Sequence, residues 1–227
     1  MRRTMGITER KARERVQRET QILDAALQVF HEVGFAAATM DQIAERAELA
    51  KGTIYIYFKS KEELYYSLLA KGLDVLIELL EGMLNRSPSP GEFFRETARA
   101  FIVYYRDYTD YFRIFMIMQQ EDMQAKLSPK LFKQINMRVT TILKLLSGEV
   151  QKLIDAGYFS ATNARSVTDI LWGAFSGITQ LAITRERLKV RKNNIEGLLL
   201  LCFELIHRGL TQGAGGPLGS PGRARRS

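Results

Sequence analysis

Hydroxyl, aromatic and basic side chains are concentrated in a short segment that begins at Ala50. We predict a helix of about two turns from Ala50 to Phe58, in which Ala50, Ile54 and Phe58 share one buried face. The opposite face presents small, hydroxyl-bearing, aromatic, aliphatic and basic groups: Gly52, Thr53, Tyr55, Ile56 and Lys59. Such a face is unusual against water, but it suits the donors, acceptors and thymine methyl groups of a DNA major groove.

The candidate DNA contacts fall into two classes, according to what they would bind. Base edges suit side chains on the outer face of this helix: Lys51, Thr53, Tyr55 and Ile56. Phosphates suit hydroxyl and ammonium groups nearby: Thr39 at the start of the preceding helix, Tyr57, and Lys61 beside the Ser60 cap. Gly52 lets the backbone approach a base or phosphate closely, because it has no side chain. The alternative role for Tyr57 is packing under Phe58.

A second short helix must precede this one if the two are to form a helix-turn-helix. Thr39 and Gln42 have the spacing of a capping box, which predicts that a helix starts at Thr39. That helix would bury Ile43 and Ala47, and Leu49 would lie in the turn. A helix-turn-helix is a common device for placing a recognition helix in the major groove.

The stretch LAKGTIYIYFKSKEEL, from Leu49 to Leu64, resembles the TetR family of transcriptional regulators, and ILDAALQVFHEVGFAAATMDQIAERA, from Ile22 to Ala47, resembles it too. The resemblance covers about the first third of the chain. It implies an all-α fold, with an N-terminal three-helix helix-turn-helix domain joined to a helical ligand-binding and dimerisation domain. It also implies DNA contacts at Thr39, Tyr55, Tyr57 and Lys61, whereas Lys51 and Ile56 occupy positions that vary between members and set sequence preference.

The remaining chain is predicted to be helical, with breaks at turn-forming residues. We expect a basic arm at 1–19 that runs into the first helix, a helix-turn-helix domain at 20–61, an effector-binding and dimerisation domain at 62–210, and a disordered basic tail at 211–227. The first helix should run from Thr8 or Glu9 to Glu32, and the last from Asn194 to His207. Candidate caps are Gly34, Ser60 with Glu63, Ser89 with Glu92, Asp110, and Thr162 or Asn163.

Charge is concentrated at the two termini of this 227-residue chain, whose formal net charge is +8. Residues 1–19 carry seven basic and three acidic groups, and three arginines lie in the tail. This pattern favours a local contact with a polyanion, although a solvated arm is the alternative. The single cysteine, Cys202, and the lack of a leader or of a long apolar run lead us to expect a cytoplasmic protein outside the membrane.

Aromatic and methionine side chains crowd two adjoining helices in the middle of the chain, and others follow near the end. Such residues suit an apolar ligand pocket, although an ordinary hydrophobic core is the alternative. The resemblance implies that this region binds a small effector. The ligand candidates are Phe101, Tyr104, Tyr105, Tyr108, Phe112, Phe115, Met116, Trp172 and Phe175.

The last two predicted helices carry a candidate dimer surface. Gly173 and Gly177 are one turn apart, so that another helix can approach closely, and the final helix is apolar on all sides. The resemblance implies a four-helix interface between two chains, and the alternative is an intramolecular core. The candidate residues are Trp172, Gly173, Gly177, Leu181, Leu198, Leu201 and Leu205.

Catalysis has little support, because His31 and His207 are far apart and Cys202 has no neighbouring base. No cofactor or metal motif is evident, so we do not expect an enzyme. We expect a repressor that binds a palindromic double-stranded DNA operator as a homodimer and is released by a small apolar or aromatic effector. The alternative is a helical carrier of apolar ligands or a protein-interaction module.

Overall fold

The computed structural model describes residues 6–117, 129–159, 163–187 and 194–211. Every regular element in these ranges is an α-helix, which confirms the predicted all-α class. We number the nine helices of these ranges in chain order: α1 (Ile7–Ala37), α2 (Met40–Arg46), α3 (Lys51–Tyr57), α4 (Lys61–Leu84), α5 (Pro90–Asp107), α6 (Thr109–Ile117), α7 (Pro129–Asp155), α8 (Ala164–Arg187) and α9 (Ile195–Thr211).

The helices form two compact units whose segments alternate along the chain. The first unit comprises residues 6–75 with 108–117 and 129–138, and the second comprises the other described residues. Helix α4 passes from the first unit into the second after Val75, and α7 does so after Arg138. This grouping by contact differs from the expected division after residue 61, and the functional domain limits stay a prediction.

The core of the first unit joins the first three helices. Ile22 of α1, Ile43 of α2 and Ile54 of α3 are all fully buried. In α1, Ala26, Val29 and Phe30 are also buried, whereas Val33 is exposed in the last turn before the helix breaks. The prediction that Ala50 joins the buried face of α3 was wrong, because Ala50 is an extended N-cap residue outside the helical register.

Helix α1 breaks at Gly34, as its role as a candidate cap predicted. Gly34 has φ of 78° and ψ of 160°, a conformation that L side chains adopt only with strain. The N–H of Ala38 donates to the Gly34 carbonyl at 3.1 Å. The side chain of Lys61 then closes this end of the helix, since its ammonium donates to the carbonyls of Phe35, Ala36 and Ala38, each at 3.0 Å.

One of the predicted caps forms as a reciprocal box, and two form only in part. Thr39 and Gln42 bond each other's backbone N–H groups at 3.0 and 3.2 Å. At the start of α4, the Glu63 N–H donates to Ser60 Oγ at 3.2 Å. The Glu63 carboxylate, however, accepts the N–H of Lys59 at 2.6 Å instead of that of Ser60. The Ser89 box forms in part at the start of α5, where Glu92 accepts the Ser89 N–H at 3.0 Å.

The prediction that Asp110 caps α6 was wrong, because α6 begins at Thr109 and Asp110 lies inside its first turn. The Asp110 carboxylate instead lies 2.5 Å from His31 Nδ1 on α1. The Tyr65 hydroxyl on α4 donates to the Ile114 carbonyl of the same short helix. Helix α6 is therefore fastened to both α1 and α4 within the first unit.

Stacked aromatic rings form the core of the second unit. The Phe101 ring on α5 lies parallel to the Phe175 ring on α8, with centroids 4.4 Å apart. Phe203 of α9 meets Phe101 edge-on at 5.9 Å, and all three side chains are fully buried. Rings that are stacked and buried in this way contribute both apolar burial and specific geometry. The aromatic cluster therefore holds α5, α8 and α9 together.

Replacing Gly34 with alanine should destabilise the first unit, because the positive-φ extended conformation at this residue costs an L side chain about 1–3 kcal/mol. A Cβ at Gly34 would meet no atom within 4 Å, so backbone strain is the whole effect. Gly148→Ala is the matched control, because Gly148 lies inside α7 with the same open space around it. Alanine there should stabilise by roughly 0.5–1 kcal/mol. A shift of both variants in the same direction on urea denaturation would contradict the strain assigned to Gly34.

Candidate nucleic-acid interface

Helix α3 is held by its inner face and leaves its outer face open. Ile54 is fully buried and Phe58 nearly so. On the opposite side Ile56 is 70% exposed and Tyr55 is 38% exposed, while Gly52 has open space around it. Large apolar side chains this exposed on a short, well-anchored helix indicate a binding surface. The predicted division of α3 into a buried face and an exposed face is therefore confirmed from Ile54 onwards, and the contact of the exposed face with DNA stays a prediction.

Lys51 is held by an ion pair at the start of α3. Its ammonium lies 2.6 Å from Asp41 Oδ1 on α2, and both side chains are more than half exposed. The hydrogen bond with Asp41 raises the pKa of Lys51 above its ordinary value. The predicted base reader is thus tied to the preceding helix, and a DNA base must compete with Asp41 for this ammonium.

Thr39 at the N-cap of α2 and Lys61 at the start of α4, both predicted phosphate contacts, have partners inside the protein. The Thr39 hydroxyl accepts the Gln42 N–H and donates to Gln42 Oε1 at 3.0 Å. The Lys61 ammonium uses its donors on the end of α1 and lies 4.8 Å from the centre of the Phe35 ring. Their phosphate contacts stay predictions, which for Lys61 require the ammonium to exchange a carbonyl for a phosphate oxygen.

Tyr57 is half-buried at the end of α3. It has a neighbour on α1 that residue spacing within α3 could not predict. The Arg15 guanidinium on α1 lies 5.8 Å from the centre of the Tyr57 ring. This distance is within the range of a cation–π interaction. Arg15 and Tyr57 are 42 positions apart in the sequence, so only the fold brings them together. The sequence feature that pointed to Arg15 was the concentration of basic residues at 1–19.

The predicted ligand residues divide between the two units. Phe101, Trp172 and Phe175 contact one another in the second unit, where Trp172 lies 5.8 Å from Phe175. Tyr104 is buried and Tyr105 half-buried on α5. The first unit holds Tyr108, which precedes α6, and Phe112 and Phe115 on α6, while the side chain of Met116 lies outside the described residues. A single pocket formed by all nine residues stays a prediction.

The predicted dimer surface is exposed on α8 and α9. Leu181, Leu198, Leu201 and Leu205 are all more than two-fifths exposed, and Gly173 and Gly177 have open space beside them. Trp172 is half-buried at the border of this face. Ile170, also exposed, continues the α8 stripe at spacings of 3, 7 and 11 residues from Gly173, Gly177 and Leu181. We missed Ile170 from the sequence, although its helical spacing was a sufficient signal.

Little in the described chain suggests catalysis. Burial raises the pKa of the Cys202 thiol, which disfavours the thiolate form that a nucleophile needs. Among the described residues no three or more His, Cys, Asp or Glu side chains cluster as a metal site would require. None of the helices in these ranges has both the length and the apolar character of a bilayer-spanning helix.

Helices α1 to α3 form a helix-turn-helix unit, and comparison with known proteins shows which family this part of the chain resembles. Residues 22–68 match the profile of the bacterial regulatory proteins of the tetR family. The transcriptional activator FasR of Mycolicibacterium smegmatis is 37% identical over 87 residues, 38% of this chain and 40% of that protein. The fatty acid metabolism regulator protein of Bacillus subtilis is 43% identical over 61 residues, 27% of this chain and 31% of that protein.

The fold likeness extends well beyond the matched segment. The crystal structure of FadR from Bacillus subtilis in complex with stearoyl-CoA has a TM-score of 0.70 at 22% identity, covering 84% of this chain and 98% of that chain. By contrast, the chain spans less than half the length of the two curated relatives named above. The resemblance to the TetR family is confirmed, and these relatives are transcriptional regulators, not enzymes.

Proposed function

We propose that this protein is a cytoplasmic transcriptional repressor that binds a palindromic operator as a homodimer and responds to a small apolar effector. The observation that carries the proposal is the outer face of α3, where Tyr55 and Ile56 are exposed on a helix anchored by buried Ile54. In a helix-turn-helix the second helix enters the major groove. The match of residues 22–68 to a family of DNA-binding regulators supports the same role.

The proposed reading surface combines base and phosphate contacts. We assign Ile56 to a thymine methyl group, and Lys51, Thr53 and Tyr55 to base edges. Gly52 allows the backbone to approach closely. The phosphate contacts, which position the protein without specifying sequence, are assigned to the N-cap of α2, the end of α3 and the start of α4: Thr39, Tyr57 and Lys61.

The exposed face of α8 and α9 is the proposed dimer interface. It is a run of leucine and small residues with helical spacing on two helices that contact each other. An apolar face of this kind is costly in water and is covered by self-association in many oligomers. Two reading helices about 34–36 Å apart would then meet half-sites one helical turn apart.

The effector we propose is a fatty acid or its acyl-CoA thioester. Two relatives carry names that refer to fatty acid metabolism or to an acyl-CoA: the fatty acid metabolism regulator protein and the FadR complex with stearoyl-CoA. The aromatic side chains of α5 and α8 in the second unit offer this chain an apolar environment of the kind that an acyl chain needs.

Helix α6 is the proposed connection between effector and DNA. It is fastened to α1 through Asp110 and His31, and to α4 through the Tyr65 hydroxyl. Burial and the nearby carboxylates of Asp24 and Asp110 raise the pKa of Tyr111 on the same helix, which keeps the phenol neutral. An effector that moves α6 must bind the DNA-incompetent state more tightly, by about 5.5 kcal/mol for a shift from 1:99 to 99:1.

Selection of bound duplexes from random DNA should enrich a palindrome whose half-sites lie one turn apart. Tyr55→Ala should weaken binding to that duplex by about 1–3 kcal/mol, because a base contact is lost. Tyr158→Ala, which removes a similarly exposed tyrosine from the second unit, should leave the affinity unchanged. An apolar-ligand carrier, the alternative function, would show no enrichment and no steep fall of affinity with salt.

Long-chain fatty acids and acyl-CoAs should release the protein from the selected duplex, and short-chain analogues should not, because burial of each methylene contributes about 0.8 kcal/mol. Fluorescence anisotropy of the labelled duplex measures this release, and a reporter gene under the operator gives the sign of regulation. An affinity for DNA that is unchanged across a broad panel of apolar and aromatic compounds would contradict the effector proposal.

Leu201→Glu should convert the dimer to a monomer, because it places a charge in the centre of the proposed interface. Phe132→Glu is the control, since Phe132 is 50% exposed and Leu201 is 53% exposed but only Leu201 lies on this face. Sedimentation velocity gives the mass of each variant, and circular dichroism shows whether it is folded. A dimeric Leu201→Glu protein would contradict the assignment of the interface.

A further inference from the structure

We propose that the exposed first half of α1, which we call the arm (Glu9–Arg18), carries a second DNA-contacting face, formed by Lys11, Arg15 and Arg18. The arm and the end of α3 form a groove that takes a sugar–phosphate strand of the same duplex that α3 reads. The inference rests on the proposed DNA-binding function and adds a contact surface to it. It makes Arg15 and Arg18 phosphate-binding residues.

The groove lies between two elements of the first unit. It is open, has a volume of about 490 Å³, and is bounded on the α3 side by Ile56 and Tyr57. The arm supplies its other wall, with every residue of the arm exposed. Gln21 anchors this wall at its base, because its amide donates to the Ala47 carbonyl at 2.8 Å. The residues of α1 that line the groove are Lys11, Glu14, Arg15, Gln17, Arg18 and Gln21.

Helical spacing separates the basic residues of the arm into two sets. Lys11, Arg15 and Arg18 are spaced by four and three residues, so they lie on one face, and this face lines the groove. Arg10 and Arg13 are not among the residues that line it. The effect of basic residues inside the groove can therefore be compared with that of basic residues outside it within the same helical segment.

The charge of the groove suits a phosphate strand. Its lining has three basic groups and one acid, Glu14, whose carboxylate pairs with Arg10 at 3.2 Å. Arg15 bonds Glu19 at 3.0 Å through Nε, and Arg18 bonds Gln21 at 2.9 Å through Nη1. A guanidinium group has five N–H donors, so these two bonds leave each arginine with further donors for phosphate oxygens.

The position of the groove selects DNA as its occupant over another polyanion. Ile56 and Tyr57 are the last two residues of α3, and they also form one wall of the groove. A helix in the major groove lies between two phosphate strands, so a strand must pass close to each end of α3. The Arg15 guanidinium over the Tyr57 ring then positions the phenol beside that strand.

The test compares two double variants that remove equal charge from the arm. Arg15→Gln with Arg18→Gln changes the groove, while Arg10→Gln with Arg13→Gln changes residues outside it. Each pair also removes one exposed ion pair with a glutamate four residues later. The readout is the slope of log affinity against log salt, for the selected operator and for an unrelated duplex of the same length.

The groove variant should lose about 0.9 from the magnitude of the salt slope for each phosphate contact removed, on both duplexes alike. The control variant should keep the wild-type slope, and Arg15→Lys with Arg18→Lys should restore most of it. Equal slopes for the groove and control variants would overturn the inference while leaving DNA binding intact. A wild-type protein without salt-dependent DNA binding would overturn the proposed function itself, before any variant is compared.

Discussion

The Lys61 ammonium holds together the parts of the first unit that position the reading helix. It donates to three carbonyls at the broken end of α1, and its own backbone begins α4. The two short helices α2 and α3 lie between these points in the chain, so the bonds of Lys61 close the loop that contains them. Hydrogen bonds from a charged donor contribute more than neutral ones, typically about 1.5–3 kcal/mol each when they are not exposed to water. The position of α3 therefore depends on a group outside it.

Local features of the fold could be predicted from the sequence, because they depend on residues a few positions apart. The Thr39 capping box and the break at Gly34 follow from side-chain reach and backbone conformation, and the inner face of α3 follows from helical period. Ala50 was wrongly assigned to the buried face because the helical period was extended by one residue, to the N-cap of α3. Within the site, the outward positions of Tyr55 and Ile56 were correct for the same local reasons.

Long-range partners could not be predicted, because spacing carries no information about them. Asp110 was expected to cap its own helix and instead meets His31, 79 positions away. Arg15 reaches Tyr57 only because α1 and α3 pack on a shared core. Composition indicated that the aromatic residues of the middle helices were ligand candidates. It could not distinguish the residues that form the core of the second unit from those that lie on α6 in the first unit.

The ion pair between Lys51 and Asp41 gives the protein a built-in competitor for its own DNA contact. When Lys51 turns towards a base, the Asp41 carboxylate loses its counter-ion beside a negatively charged duplex. In the proposed complex, a base edge with a strong pair of acceptors, such as N7 and O6 of guanine, compensates best for that loss. Because both side chains are more than half exposed, the ion pair is weak and the preference that it adds is small. The carboxylate would then bias the contact proposed for Lys51 towards guanine.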